Sequence, residues 1–244
     1  RGQAHGRRAG VLDTGVVQRS ARVGQHALDH AFAGRRPIGQ DAPDRDALTM
    51  AELVDAFDIS DVNPNPAQFD LVKAEAINGQ HVRLLDPADF RARLVPYLGG
   101  FVSAGTYDEL TDAERQILDA AAPLVQERMV LLGEASGMLG FLFTADADLV
   151  IEEDARATLK DGAAEVLDAA IVSLAELDEF STESIEAAPR LAIVEGLGVK
   201  PRLAFGPLRV AVSGRRISPP LFESMEILGK DSTLVRLRAL RASQ

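Results

Sequence analysis

The sequence holds 244 residues with no Cys, no Trp, two Tyr and ten Phe; the length suits one large or two small domains with a real core, and the lack of Cys excludes a disulfide scaffold, Cys-ligated zinc, iron–sulfur chemistry and thiol catalysis. No apolar run approaches the roughly 18 residues of a membrane-spanning helix and no basic-then-apolar signal segment occurs, so a cytoplasmic location and no membrane partner are expected. The formal charge of −11 argues against nucleic acid, but it is segregated: residues 1–47 carry net +3, residues 48–198 net −20 and residues 199–244 net +6. An acidic body with a basic end can hold RNA at that end while repelling other polyanions; the same pattern also describes a solvated acidic surface with a basic tail.

Residues 1–47 contain two Leu, seven Gly and eight Arg, with no persistent helical or strand period. Such a segment buries too little apolar surface to offset its ordering entropy, so a disordered tail is expected. His26 and His30 stand one helical turn apart, but Asp29 is their only nearby companion, too few ligands for a metal. The Arg/Gly/Ala bias matches GC-rich DNA translated out of frame, and a start at Arg1 suggests a fragment or processed product.

From Leu48 the texture becomes helical. Thr49 to Glu52 reads as a capping box opening a helix to about Phe57, and Asn63-Pro64-Asn65-Pro66 reads as a linker. Phe69, Val72, Ala76 and Ile77 mark an amphipathic helix that Asn78-Gly79 ends or interrupts. Asp86-Pro87 starts a helix through Val95, and Thr111 to Glu114 is a second capping box, followed by Ile117, Leu118, Ala121, Leu124, Val125 and Val130 at helical spacing. Phe141-Leu142-Phe143 reads as an apolar run in a loop. Glu152-Glu153-Asp154 suits a helix N-terminus better than a cation site, and a long helix is predicted from Ala155 to Leu177. Ser181 caps a helix to Glu195, with Pro189 set to kink it or shift its start and Gly196 and Gly198 to stop it. Leu208–Val212 is the one β-branched run. Ser218-Pro219 opens a helix closed by Gly229, and a last helix spans about Ser232 to Leu240. The expected fold is all-α: two consecutive helical bundles behind a disordered or poorly folded N-terminal segment. No repeat suggests a solenoid.

Catalytic signatures are missing: no phosphate-binding Gly-rich loop, no H-E-x-x-H and no G-x-S-x-G. His81 is the only His outside the N-terminal segment and lacks a triad context; a surface or satisfied core His is the plainer reading.

The C-terminal blocks carry a resemblance. Glu195-Gly-Leu-Gly-Val-Lys-Pro-Arg202, Pro207-Leu-Arg-Val-Ala-Val-Ser-Gly214, Ser218-Pro-Pro-Leu-Phe-Glu223 and Leu228-Gly-Lys230 resemble the C-terminus of bacterial, especially actinobacterial, glutamyl-tRNA synthetases. Phe69-Asp70-x-x-Lys73, Asn78-Gly-Gln-His-Val-Arg83 and Leu142-Phe-Thr144 resemble the stem-contact segment of that family. Order and spacing agree from about Thr49 to Leu240. The resemblance implies a division into an atypical tail (1–47), a helical stem-contact domain (48–150) and a helical anticodon-binding domain (151–244). The family's two ATP-site signatures are missing, and residues 1–47 stand where the second belongs. Ligation of glutamate to tRNA with ATP and magnesium is therefore not carried over; no cofactor, metal or catalytic residue is expected in this chain itself.

What the resemblance does imply is tRNA recognition by a monomer, with no DNA partner. RNA sequence is read mainly from splayed single-stranded loops, and the planar Arg fork suits base edges and phosphates. Arg128 falls at the spacing of the family Arg that contacts the third anticodon base. Arg209 matches the Arg reading the region of the first base, and Ser218 and Leu221 match residues lining the anticodon pocket. Lys73 and Arg83 match positions that touch tRNA phosphates. Plainer readings stand beside these: Arg128 paired with Glu127 or Glu134, Ser218 as a helix cap, Leu221 in the core, Lys73 and Arg83 as solvated charges. Pro189 departs from the unbroken helix of the family. The competing function is a catalytically inactive helical remnant serving as a protein-interaction or structural module.

Overall fold

The computed structural model of this chain describes Thr49, Ala51, Val54 and residues 70–244. The tail, its His26 and His30, most of the helix expected from Thr49 to Phe57 and the Asn63–Pro66 linker lie outside the described residues. The chain divides into two compact units, Arg1–His81 and Val82–Gln244. Among the described residues every named element is helical, and the one bridge, Gly99 to Val102, is isolated. The all-α expectation is borne out.

Helix α1 (Leu71–Leu84) runs straight through Asn78-Gly79. An interior Gly costs a helix only about 1 kcal/mol, less than a break in its hydrogen-bond ladder. Asp70 Oδ1 accepts the Lys73 N–H at 3.1 Å, so the Asp-x-x-Lys block has a local capping role. The expected apolar stripe is not a buried one, for Val72 is 77% exposed.

Helix α2 (Pro87–Leu94) starts as predicted, with Asp86 Oδ1 accepting the Ala88 N–H at 2.8 Å and Pro87 in the first turn, and it passes into a 3-10 turn over Val95–Leu98. Gln126 ties the preceding helix end to α3 by donating to the carbonyls of Val82 and Leu85 at 3.1 and 2.9 Å. Helix α3 (Asp112–Gln126) carries the full capping box of Thr111 and Glu114, and its stripe ends before Val130. Glu114 does more than a box requires. Its Oε1 accepts the Ser103 N–H at 2.6 Å, while Oε2 accepts the hydroxyls of Ser103 and Thr111, both at 2.7 Å, and the Thr111 N–H at 2.8 Å.

These bonds, the Ser103 hydroxyl first and the Thr111 hydroxyl second, hold the Glu114 carboxyl down to about 2 from its ordinary 4.5. A depressed carboxyl contributes stability above its unfolded pKa and loses it as pH falls through the folded one. Glu114→Gln therefore lowers stability by about 1 kcal/mol at neutral pH, the usual worth of a cap, since solvent screens so open a site. The gap between variant and wild type closes between pH 4.5 and about 2. Urea titrations of both proteins across that window check it; a gap that persists at pH 2 contradicts it.

Helix α4 (Ala135–Phe143) replaces the loop expected around Phe141-Leu142-Phe143. Ala135, Leu139, Phe141 and Leu142 are all buried, and a helix apolar all round shows no period to read. The long helix predicted from Ala155 is broken. A four-residue turn, α5 (Glu153–Arg156), is separated from α6 (Ala163–Ala175) by a turn ending at Gly162, whose φ is 92°. A left-handed residue cannot continue a right-handed helix.

Helix α7 (Thr182–Pro189) has the predicted Ser181 cap, with Ser184 as its reciprocal partner, and Thr182 N–H donates to Glu226 Oε2 at 2.9 Å. Pro189 does not end the helix. It switches it to a π-helix over Arg190–Gly196, because widening the turn relieves the ring's clash and its missing N–H. The β-branched run Leu208–Val212 lies in helix α8 (Pro201–Ser213), where Leu208, Val210, Ala211 and Val212 are buried. Burial on several sides outweighed its local β preference. Helix α9 (Leu221–Leu228) begins later than predicted, with Pro220 at its cap, and ends at Gly229 with φ 81°. Helix α10 (Lys230–Ala242) closes the chain.

Helix α6 packs on α7, α8 and α10, while α9 packs on α7 and α10 and also reaches α3 and α4. One core cluster therefore runs from Val82 and Phe90 to Leu237 and Leu240. Two cations, one at its edge and one inside it, hold helix ends. Lys230 Nζ donates to the carbonyls of Ala175 and Leu177 at 2.7 and 2.6 Å, closing the C-terminus of α6. Arg236, 3% exposed, donates to the carbonyls of Phe141, Val212 and Thr144 at 3.0, 2.9 and 2.7 Å and to Asp146 Oδ1 at 2.6 Å. The turn after α8 needs Gly214: its φ is 71°, and a Cβ there would lie 2.3 Å from the Val150 carbonyl oxygen.

Candidate RNA interface

Helix α8 presents Arg209 at the edge of the core, half-buried between the buried Leu208 and Val210. One arm of its fork is fixed. Nη1 donates to Ser218 Oγ at 2.6 Å, to the Pro219 carbonyl at 3.0 Å and to the Ser218 carbonyl at 3.4 Å. Ser218 is buried, and its hydroxyl in turn donates to the Pro219 carbonyl at 3.0 Å. The two prolines hold this segment extended, so its carbonyls face the guanidinium. The cap expected from Ser218 is not made: α9 starts three residues later, and the hydroxyl serves Arg209.

Nε and Nη2 of Arg209 make no hydrogen bond among the described residues. The side chain is thus oriented by one nitrogen and open at the other two, the arrangement wanted of a preorganised donor. Among the described residues no carboxylate forms an ion pair with it. Burial, and then the positive charge of Arg128, press Arg209 below its ordinary 12.5. Arg128, just past the C-terminus of α3, is thus near enough for its charge to be felt on α8. Arg128 is exposed and, among the described residues, forms no ion pair with Glu127 or Glu134. Glu134 is engaged instead by the backbone N–H groups of Val130 and Leu131 at 3.0 and 3.2 Å.

Two of the candidate residues are therefore in contact, Arg209 and Ser218, and the charge of Arg128 acts on Arg209. Leu221 follows at the start of α9 with its side chain buried in the core. Lys73 and Arg83 belong to α1, the first half-buried and the second exposed. His81 is exposed, as its plainer reading had it. Glu152 pairs with Arg215 at 2.9 Å. Among the described residues no group of three or more His, Cys, Asp or Glu could hold a metal, and no helix is long and apolar enough to cross a membrane.

Arg209 also forms part of the wall of a cleft of about 820 Å³ between α6 and α8, shared with Lys160, Lys200 and Arg216. Those three cations were missed in the sequence. Lys160 and Lys200 sit in turns before helices, where a basic residue draws no notice unless the turns are known to converge.

A family profile described as an anticodon binding domain matches residues 89–241. The chain is 63% identical over 200 residues to the glutamate–tRNA ligase of Kocuria rhizophila, covering 82% of this chain and 39% of that protein. It is 60% identical over 201 residues to that of Kineococcus radiotolerans, covering 82% of this chain and 40% of the relative. It thus spans about two fifths of the length of the curated relatives it matches. A crystal structure of a glutamate tRNA ligase from Elizabethkingia meningosepticum superposes with a TM-score of 0.63 at 20% identity, over 89% of this chain and 41% of the other, a likeness of fold. The resemblance read from the sequence blocks is borne out.

Proposed function

We propose that this chain, which belongs to the anticodon-binding-domain family, is the part of a glutamate–tRNA ligase that recognises tRNA. The observation that carries the reading is Arg209 itself, braced by Ser218 through Nη1 at 2.6 Å, with Nε and Nη2 free of hydrogen bonds and no ion pair among the described residues. Half-burial first, and the positive charge of Arg128 second, disfavour the Arg209 cation, a cost that an anionic, hydrogen-bonding ligand returns. A splayed anticodon loop is such a ligand, offering phosphates and unpaired base edges. Arg209 contacts the region of the first anticodon base and Arg128 the third. Leu221 acts by shaping the backbone that carries Ser218, its own side chain being buried. Lys73 and Arg83 serve the phosphates of the stem.

The chain acts as a monomer on RNA, with neither DNA nor a membrane as partner. Glutamate ligation with ATP and magnesium belongs to a catalytic domain of the parent enzyme, and this chain supplies recognition.

Titration of the chain with synthetic RNA stem-loops tests the reading. A loop with a glutamate anticodon binds more tightly than one with its third anticodon base exchanged, by about five- to 150-fold, the worth of one bidentate Arg contact. Affinity falls steeply with added salt. Equal binding of the two loops at low salt contradicts the proposal.

A further inference from the structure

The anion-facing surface extends past Arg209. The cleft between α6 and α8 has four cations on its wall, Lys160, Lys200, Arg209 and Arg216, against one carboxylate, Asp161. Lys160, Lys200 and Arg216 are exposed, and none forms an ion pair among the described residues. This stands out in a chain with 37 acidic residues and 26 basic ones, where ion-pair partners are plentiful. Chance placement would scatter these charges among carboxylates.

Much of the remaining wall is apolar and includes Val166, Val199, Leu203 and Phe205. Phe205 is steadied by Phe222, edge to face at 5.2 Å between ring centroids. An apolar wall carrying an aromatic ring, rimmed by cations, matches the two halves of a nucleotide: a base that stacks and a phosphate that pairs. At about 820 Å³ the space is ample for one. The N-termini of α6 and α8 open on the same space, at Gly162 and Lys200, and neither has a side-chain cap. Their partial positive charge adds to the same field.

We propose that this cleft holds the sugar-phosphate backbone of an unpaired loop nucleotide adjacent to the one met by Arg209, with Lys160, Lys200 and Arg216 on its phosphates and its base against the wall that includes Phe205. The inference rests on the RNA-binding reading above and adds a subsite to it. The subsite contributes affinity without base identity, since phosphate contacts carry no sequence information. Selection belongs to Arg128 and Arg209, grip to the cleft.

The test uses the full chain and the glutamate-anticodon stem-loop. Lys160→Ala, Lys200→Ala and Arg216→Ala each weaken binding by about three- to tenfold and lower the slope of log affinity against log salt by about 0.7 for each phosphate left unneutralised. The loss is equal for matched and exchanged anticodons. Replacing loop phosphates one at a time by neutral methylphosphonates identifies a position that weakens wild type but not Lys200→Ala. If the three variants bind as wild type while Arg209→Ala weakens binding, the cleft inference is wrong and the recognition reading stands. If the unaltered chain does not distinguish the two loops, the recognition reading falls and takes this one with it. If every phosphate substitution affects wild type and Lys200→Ala alike, the lysine acts only at a distance and the subsite is overturned.

Discussion

Arg236→Met lowers the stability of the folded chain by about 3–5 kcal/mol, the cost of removing one partner from a buried, hydrogen-bonded ion pair. The side chain is too well enclosed for water to replace it. Its loss leaves the carbonyls of Phe141, Thr144 and Val212 without their donor and Asp146 without its cation. Phe141 belongs to the last turn of α4, Thr144 follows that helix directly, and Val212 lies in the last turn of α8; the guanidinium therefore also neutralises the negative ends of two helices. Methionine fills similar volume, so the loss is polar and not a cavity effect. Urea unfolding of the two proteins measures it, and a difference below about 1 kcal/mol contradicts the account. Arg236→Lys keeps the charge but cannot reach four acceptors at once, so its stability falls between the two.

Arg209→Ala removes most of the preference for the matched loop over one exchanged at its first anticodon base, about 1–3 kcal/mol or five- to 150-fold in relative affinity. Its stability effect is small, because the side chain sits at the edge of the core with two nitrogens uncommitted. Arg209→Lys does not rescue. A lysine has no planar fork, so it cannot bond Ser218 with one arm while presenting two more donors in fixed geometry. Ser218→Ala gives a milder version of the same defect by leaving Nη1 only the backbone carbonyls of Ser218 and Pro219, with the charge in place. Competition binding with the matched loop and one exchanged at the first anticodon base separates these variants. Retained discrimination in Arg209→Ala assigns selectivity elsewhere.

Much of the fold was legible because its signals are local. The Thr111 capping box, Asp86-Pro87, Ser181 and Gly229 each declare a helix end within four residues. What misled was burial. Helix α4 is apolar on all sides and α8 holds a β-branched run, so period and propensity both pointed away from helix where packing decided the matter. Gly162 was passed over because a lone Gly in a helical pattern is usually tolerated. In the site, Arg209 and Ser218 stood out by resemblance, yet that they touch each other is a non-local fact no spacing reveals. Arg236 left one faint trace: it lies three residues after Thr233 and next to Leu237, a cation on the apolar stripe of α10. Lys160 and Lys200 left none, since they converge only through the packing of α6 on α8.

The π-helix after Pro189 has a consequence for chain length. Each of its turns holds roughly one residue more than an α turn, so the segment carries slack. Deleting a residue from an ordinary helix rotates everything downstream by about 100° and turns its buried face outward. A deletion within Arg190–Gly196 can instead be absorbed by tightening the coil, leaving Val199 and α8 pointing as before. Comparison with relatives should therefore admit a gap there before admitting one in any other helix of the bundle.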